Sequence, residues 1–415
     1  MYFSAIYHGI QRLYNDSLVS QSLYNLDLSH NSISHPQMIM FQHLPNIYVL
    51  NLNNNAIVSI GYKVFVTMLL LENLTLQQNP LTEIDSGAFV SNTRLHTLRS
   101  DWFMLCCIAE QADACSPSRQ TVSSCTNLIS MTSQRYIFII QAATSLITNV
   151  AAFIRGDLSQ ANIMESSLHL SDGMMGVYLG HIAIVDFMHR DKFNTLIIEW
   201  SRHLACHSAA LCSFVSMEMS LCSLAIMAFV RALTVTQIGG YRNVKIKVRK
   251  AIIMLWFLFV CLGVSLTAVS MSVNPLLHNN MCLYFGDKAR IGASTVDQIL
   301  HLSYFVLNFS LIFATIASYV MLCKQIYESK KTVSGISTAT SANKHMMKRL
   351  SLKILLLVGT NVVCWVPFLL VSILSMSGYK VQNWVLGWVV VLIIPINATI
   401  NPFLYFTITN EKKCC

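Results

Sequence analysis

Leu23-Tyr24-Asn25-Leu26-Asp27-Leu28-Ser29-His30-Asn31-Ser32-Ile33 recurs downstream, and its recurrence decides how the first quarter of the chain folds. Ile47, Leu50, Leu52, Asn55 and Ile57 take the same places, and so do Leu71, Leu74, Leu76, Asn79 and Leu81. Asn31, Asn55 and Asn79 are 24 residues apart, as are Leu26, Leu50, Leu74 and Leu98. A fixed period of this length marks stacked units that cannot bury an apolar side alone, so neighbours share one core. The alternation Leu-x-Leu makes a short strand with its leucines on one face. The asparagine supplies donors and an acceptor for the backbone where the chain bends after the strand.

The spacing is the L-x-x-L-x-L-x-x-N-x-L pattern of leucine-rich repeats. Residues 1–100 are therefore expected to form a short α/β solenoid. Positions between the leucines face outward on its concave sheet, and such faces commonly bind partners. Tyr24, Asp27, Asn51, Glu72 and Thr75 are the candidates for ligand contact, with Tyr48, Asn53 and Gln77 beside them; the plainer alternative is a solvated strand face. Asn15-Asp16-Ser17 and Asn73-Leu74-Thr75 fit the N-glycosylation acceptor pattern.

The repeats end at Cys106, Cys107, Cys115 and Cys125. Four cysteines so close together in an exported segment point to two disulfides, of any of three connectivities. Zinc is the alternative, but adjacent Cys106 and Cys107 lack C-x-x-C spacing. Residues 101–135 are expected to form a cysteine-rich hinge.

Beyond Tyr136 the solvent changes. Of the 415 residues, 54% are hydrophobic and 11% charged, against roughly 25% charged in a soluble domain. A membrane span needs ~20 mostly apolar residues. Seven such stretches occur, at about 136–154, 163–184, 206–232, 250–271, 298–323, 351–376 and 384–408, leaving 409–415 as a tail. The net charge of +9 raises the question of nucleic acid as a partner. The position of the charges answers it. Segments after the second, fourth and sixth spans hold six Lys and Arg; those after the first, third and fifth, with the tail and with Lys250 and Lys353 at the starts of the fourth and sixth spans, hold fifteen. The positive-inside rule puts the tail in the cytoplasm and the repeats outside. The expectation is a mostly α protein, a seven-helix bundle in plasma-membrane lipid preceded by the solenoid, with no nucleic-acid partner. The first residues carry no basic n-region with a long apolar core, so the chain is expected to begin inside a longer protein.

Polar side chains inside spans are costly and mark function. Asp172 lies mid-way along the second span, Ser220 and Glu218 along the third, and Asn397 and Asn401 in the seventh. Facing inward together, Asp172, Ser220, Asn397 and Asn401 suit a hydrated cation or a water network, while Glu218 is a second intramembrane acid. No His/Cys/Ser constellation suggests an enzyme.

These positions carry a family resemblance. Asn401-Pro402-Phe403-Leu404-Tyr405 resembles the NPxxY motif of rhodopsin-like receptors, and Cys364-Trp365-Val366-Pro367 their CWxP motif. Cys206 and Cys282 fall where the family has a disulfide between the third span and the second outer loop. Arg231, Trp256 and Tyr319 stand at the family's arginine, tryptophan and tyrosine positions in the third, fourth and fifth spans. With repeats in front, the chain resembles leucine-rich-repeat-containing G-protein-coupled receptors, most of all relaxin-family peptide receptors. That likeness rests on Phe103–Ala109, Met175–Leu179, Ser216-Met217-Glu218-Met219-Ser220 and Pro395-Ile396-Asn397-Ala398-Thr399-Ile400-Asn401-Pro402.

The resemblance implies a peptide hormone as ligand and a heterotrimeric G protein as cytoplasmic partner. Arg231, Tyr319 and Tyr405 would rearrange to admit it, with Trp365 as a packing pivot. Asp172, Ser220, Asn397 and Asn401 match the family's sodium pocket, so allosteric Na+ at Asp172 is the one cofactor it suggests. Two features depart from the pattern. The acid that usually precedes the arginine is Val230, and the low-density-lipoprotein class A module of relaxin-type receptors is not in this chain, whose first cysteine is Cys106. They favour the alternatives: a non-signalling binding or decoy protein, or a truncated receptor. Amine receptors place an acid where Ser213 stands, and opsins a lysine in the seventh span, where residues 384–408 have none. Lys344–Arg349 suits a cytoplasmic helix end or a G-protein contact, and Cys414-Cys415 suits palmitoylation.

Overall fold

The computed structural model describes residues 1–11, 20–81, 83–116, 123–155, 163–193, 199–200, 203–236, 241–273, 281–283, 295–334, 359–360, 363–374, 377 and 383–409. Asn15-Asp16-Ser17, Lys344–Arg349, Cys414-Cys415 and the side chains of Arg231 and Tyr405 lie outside the described residues.

The repeats form one six-stranded parallel sheet of β1 (Tyr2–Ser4), β2 (Asn25–Asp27), β3 (Val49–Asn51), β5 (Asn73–Thr75), β7 (Thr97–Arg99) and β8 (Ala114–Ser116), in that order. A second pair, β4 (Ser59–Ile60) and β6 (Glu83–Ile84), runs parallel beyond the core. Leu26, Leu50, Leu74 and Leu98 stand in register and are buried. Two strands extend the expected set: Phe3 and Cys115 take the leucine position at the two ends. The leucine spacing does not show them, because neither end keeps the 24-residue step. Phe41, Phe65 and Phe89, also 24 apart, are buried in the repeat core, the first pair tilted at 5.7 Å and the second stacked at 5.8 Å.

The asparagines tie the coils together. Asn79 Nδ2 donates to Leu76 O in its own repeat and to Leu52 O in the one before, and its Oδ1 accepts from Ile57 N. Asn55 does the same one repeat earlier, with Leu52 O, Leu28 O and Ile33 N. Each asparagine thus satisfies three buried backbone groups that no strand can reach.

The short helix α1 (Phe103–Ile108) leads to the bundle. Its helices are α2 (Thr132–Arg155), α3 (Ile163–Met188), α4 (Leu204–Thr236), α5 (Tyr241–Val273), α6 (Thr295–Ser334), α7 (Val363–Leu374), α8 (Asn383–Trp388) and α9 (Ile394–Thr409). Several run past the apolar stretch, because helical hydrogen bonding continues into polar flanks. A π-helical segment, Val389–Ile393, joins α8 to α9 just before Pro395. Proline has no N–H to donate, and the ladder widens there.

Among the described residues, four helices are long and apolar enough to cross a membrane: Thr132–Ile154, Leu204–Val230, Ile246–Val269 and Leu302–Met321. Helix α3 has 26 residues but carries Glu165, Asp172, Asp186 and His169, which lower its apolarity. It buries Asp172, Asp186 and His169 against its neighbours. Helix α4 is the axis of the bundle: 83% of its apolar window is buried, against 17–28% for the other three. It packs on α3, α5 and α6, while α9 packs on α2 and α3. Helices α2 and α3 approach at Gly176, where a Cβ would stand 2.7 Å from Leu146 N.

Candidate functional site

On the concave sheet, Asp27, Asn51 and Thr75 share one register row and bond along it. Asn51 Nδ2 donates to Asp27 Oδ2 at 3.1 Å, and Thr75 Oγ1 donates to Asn51 Oδ1 at 2.8 Å. Asp27 Oδ1 accepts from Ser29 N and Ser29 Oγ at 2.9 and 2.6 Å. Burial raises the Asp27 pKa, but these bonds and nearby His30 outweigh it and leave the carboxyl below its usual 3.8. Part of this row's hydrogen-bonding capacity is therefore spent within the sheet. Tyr24 is exposed and sits 5.8 Å from the Tyr48 ring. Glu72 is half-buried on the next coil.

The cysteines pair as Cys106–Cys115 and Cys107–Cys125, which resolves the connectivity that the sequence leaves open. Cys206 at the start of α4 pairs with Cys282. Tyr178 Oη donates to Met281 O at 2.7 Å and fastens the same loop to α3.

Inside the bundle, the structure brings the expected polar residues together. Asp172 Oδ1 accepts from Ser220 Oγ at 2.7 Å, and Asp172 Oδ2 accepts from Asn401 Nδ2 at 2.8 Å. One carboxylate thus joins α3, α4 and α9 in a buried position. Asn397 is buried one turn before Asn401 on α9. Trp365 is buried on α7, edge-on to Phe368 at 5.9 Å. Tyr319 is buried on α6. Arg231 lies near the end of α4 and Tyr405 in α9. Glu218 is separate from this cluster: its Oε1 accepts from Asn308 Nδ2 of α6 at 2.9 Å.

The sequence reading missed several partners. Asn149 Nδ2 of α2 donates to Ala398 O of α9 at 2.9 Å, and its Oδ1 meets His169 Nδ1 at 3.1 Å. Ser145 Oγ donates to Asp172 O at 2.9 Å. Trp256 Nε1 donates to Ser167 Oγ at 2.9 Å, which pairs with Ser223 Oγ at 2.9 Å. Polarity inside a span was the available signal for Asn149 and Asn308. The serine partners had none, since serine is common in membrane helices.

A bundle of apolar helices packed around α4, with one buried carboxylate binding three of them, suits a multi-pass membrane protein. Residues 155–405 match the family model for the 7 transmembrane receptor (rhodopsin family), so the chain belongs to that family. Residues 21–81 match the leucine rich repeat model. The chain is similar to the G-protein coupled receptor GRL101 of Lymnaea stagnalis, at 28% identity over 335 residues, covering 76% of this chain and 28% of that protein. It is also similar to relaxin receptor 1 of Mus musculus, at 24% over 320 residues, covering 75% and 41%. Relaxin receptor 2 of Homo sapiens is 22% identical over 320 residues, covering 75% and 42%. The chain spans 28–42% of the length of these curated relatives.

Proposed function

We propose that the protein is a G-protein-coupled receptor for a relaxin/insulin-like peptide, with its repeats outside the plasma membrane and its tail in the cytoplasm. The single observation that carries this reading is the Asp172 carboxylate held by Ser220 and Asn401. A buried acid shared by three helices is costly to keep and gives the bundle a contact that distinguishes one packing from another. The relatives named as relaxin receptors supply the ligand class.

Signalling is a shift of population. Peptide bound by the repeats and outer loops favours one of two helix packings, by as much as it binds that packing better. In the packing described here, Asn401 and Ser220 both engage Asp172. Release of these contacts frees α9 and α4 to move and open a cytoplasmic site for a G-protein α-subunit, with the roles of Arg231, Tyr319 and Tyr405 carried over from the family resemblance. The cluster also fits sodium. Asp172, Ser220 and Asn401 are hard oxygen donors, and Asn401 Oδ1 is buried without a hydrogen-bond partner. Bound there, the ion supplies a charge that offsets Asp172 and steadies the resting packing.

The second reading, a non-signalling binding protein, is favoured by Val230. It is buried next to Arg231 and offers no carboxylate to it. Labelled relaxin/insulin-like peptides, titrated on cells bearing residues 1–415 or 101–415, test the proposal. Binding that needs residues 1–100 supports a peptide receptor with its main site on the repeats. Equal affinity of both forms moves the site into the helices, and no binding of any peptide to either form removes the ligand assignment.

A further inference from the structure

The adjacent cysteines of α1 point to two different bodies. Cys106 bonds Cys115 in β8, the last strand of the repeat sheet. Cys107 bonds Cys125, in the segment that leads to α2. Neighbouring side chains divide the same way: Leu105 and Ala109 are buried in the repeat core, Met104 and Cys107 in the bundle core. Trp102 packs against both cores. A six-residue helix thus acts as a wedge shared by the two parts of the molecule.

The chain after Cys125 is fixed as firmly. Leu128 and Ile129 are buried in the bundle core. Ile129 N donates to Asp186 Oδ1 at 2.9 Å, and Arg135 Nε, in the first turn of α2, donates to Asp186 Oδ2 at 2.5 Å. Arg135 Nη2 donates to Ile129 O at 3.0 Å and to Asn127 Oδ1 at 3.3 Å. Asn127 Oδ1 also accepts from Asp191 N at 3.1 Å, and Phe193 N donates to Thr126 O at 3.1 Å. Both Arg135 and Asp186 are buried, and charge-assisted bonds from Arg135 Nε and Nη2 and to both Asp186 oxygens give the pair a directional geometry.

We infer that the described parts of this segment, residues 101–116 and 123–135, form a rigid junction and not a hinge, and that Arg135 and Asp186 are the positioning pair that fixes the repeat domain to the outer ends of α2 and α3. Asp186 and Asp172 lie 14 residues apart on α3, about 21 Å at helical rise. On the receptor reading proposed above, on which this consequence rests, displacement of the repeats by a ligand reaches the Asp172 cluster through one continuous helix. A slack linker would absorb that displacement.

Single-molecule FRET between dyes introduced by unnatural amino acids at exposed Val90 and Leu204 tests the junction in the full chain without any ligand. The wild-type chain is expected to give one narrow efficiency peak, and Asp186→Ala a broadened or split one. The neutral pair Arg135→Gln/Asp186→Asn leaves no lone buried charge, folds more readily than the single variant, and is expected to broaden the peak as well. Arg135→Lys keeps the charge but loses the forked contacts, and is expected to fall between wild type and the neutral pair, a gradation that general loss of structure does not produce. A broad wild-type peak, or variant peaks as narrow as wild type, overturns the inference. A narrow wild-type peak, in a chain that activates no G protein when a panel of relaxin/insulin-like peptides is then added, leaves the junction standing and removes the receptor reading instead.

Discussion

Asn401 Nδ2 donates to Asp172 Oδ2 at 2.8 Å, closing α9 onto α3 across 229 residues of chain. Because Asp172 Oδ1 is held at the same time by Ser220 of α4, a change at this carboxylate is felt on three helices at once.

Asp172→Asn removes the charge and keeps the size. Ligand-free activity is expected to change and its dependence on sodium to disappear. Basal signalling measured in sodium and in an organic-cation buffer checks this. Identical response curves for the variant and the wild type under both conditions would contradict the sodium assignment.

Gly176 allows α2 and α3 to meet. A Cβ there would stand 2.7 Å from Leu146 N and 3.0 Å from Leu146 Cα, both backbone atoms that cannot swing aside. Gly176→Ala is expected to destabilise the bundle by about 1–3 kcal/mol, the usual range for overpacking. Gly173→Ala, one turn away, meets only Asn149 Cβ at an ordinary 3.7 Å and is expected to be tolerated. Thermal unfolding of the two purified variants side by side gives the comparison.

Asn79→Ala leaves Leu52 O, Leu76 O and Ile57 N without their side-chain partner in the repeat core. An unsatisfied buried group costs ~1–3 kcal/mol, so the repeats should open locally and surface expression should fall. Amide exchange along β3 and β5 reports the opening directly.

Asp27 carries an acid dependence. Its folded pKa lies below 3.8, so the stability it adds is full above the unfolded value and is lost as pH falls through the folded one. Amides of β2 and β3 are expected to lose protection in strong acid, and Asp27→Asn to remove that component. Equal acid profiles for the two proteins would show that the Asp27–Asn51–Thr75 row does not contribute.

The parts that repeat, or that must sit in lipid, were legible. The 24-residue step placed Leu26, Leu50, Leu74 and Leu98 in register because each stacked coil turns the same position of its strand into the shared core. The polar residues of the spans gave Asp172, Ser220, Asn397 and Asn401 because lipid tolerates so few. What escaped depends on chance meetings of distant segments. Arg135 and Asp186 are 51 residues apart, one at the end of the cysteine-rich segment and the other just past the second span, yet they meet as a buried pair. Phe3 and Cys115 take the register positions of the leucines at irregular spacing. Adjacent Cys106 and Cys107 gave no sign that their partners lie on opposite sides of α1.

The most direct test of the account is G-protein dissociation in cells that carry this chain at the surface, across a panel of relaxin/insulin-like peptides and all G-protein classes, with Arg231→Ala as the paired variant. At least one peptide is expected to dissociate one class of G protein, and Arg231→Ala to abolish the response without loss of peptide binding. Peptide bound at the surface with no G protein dissociated would contradict it.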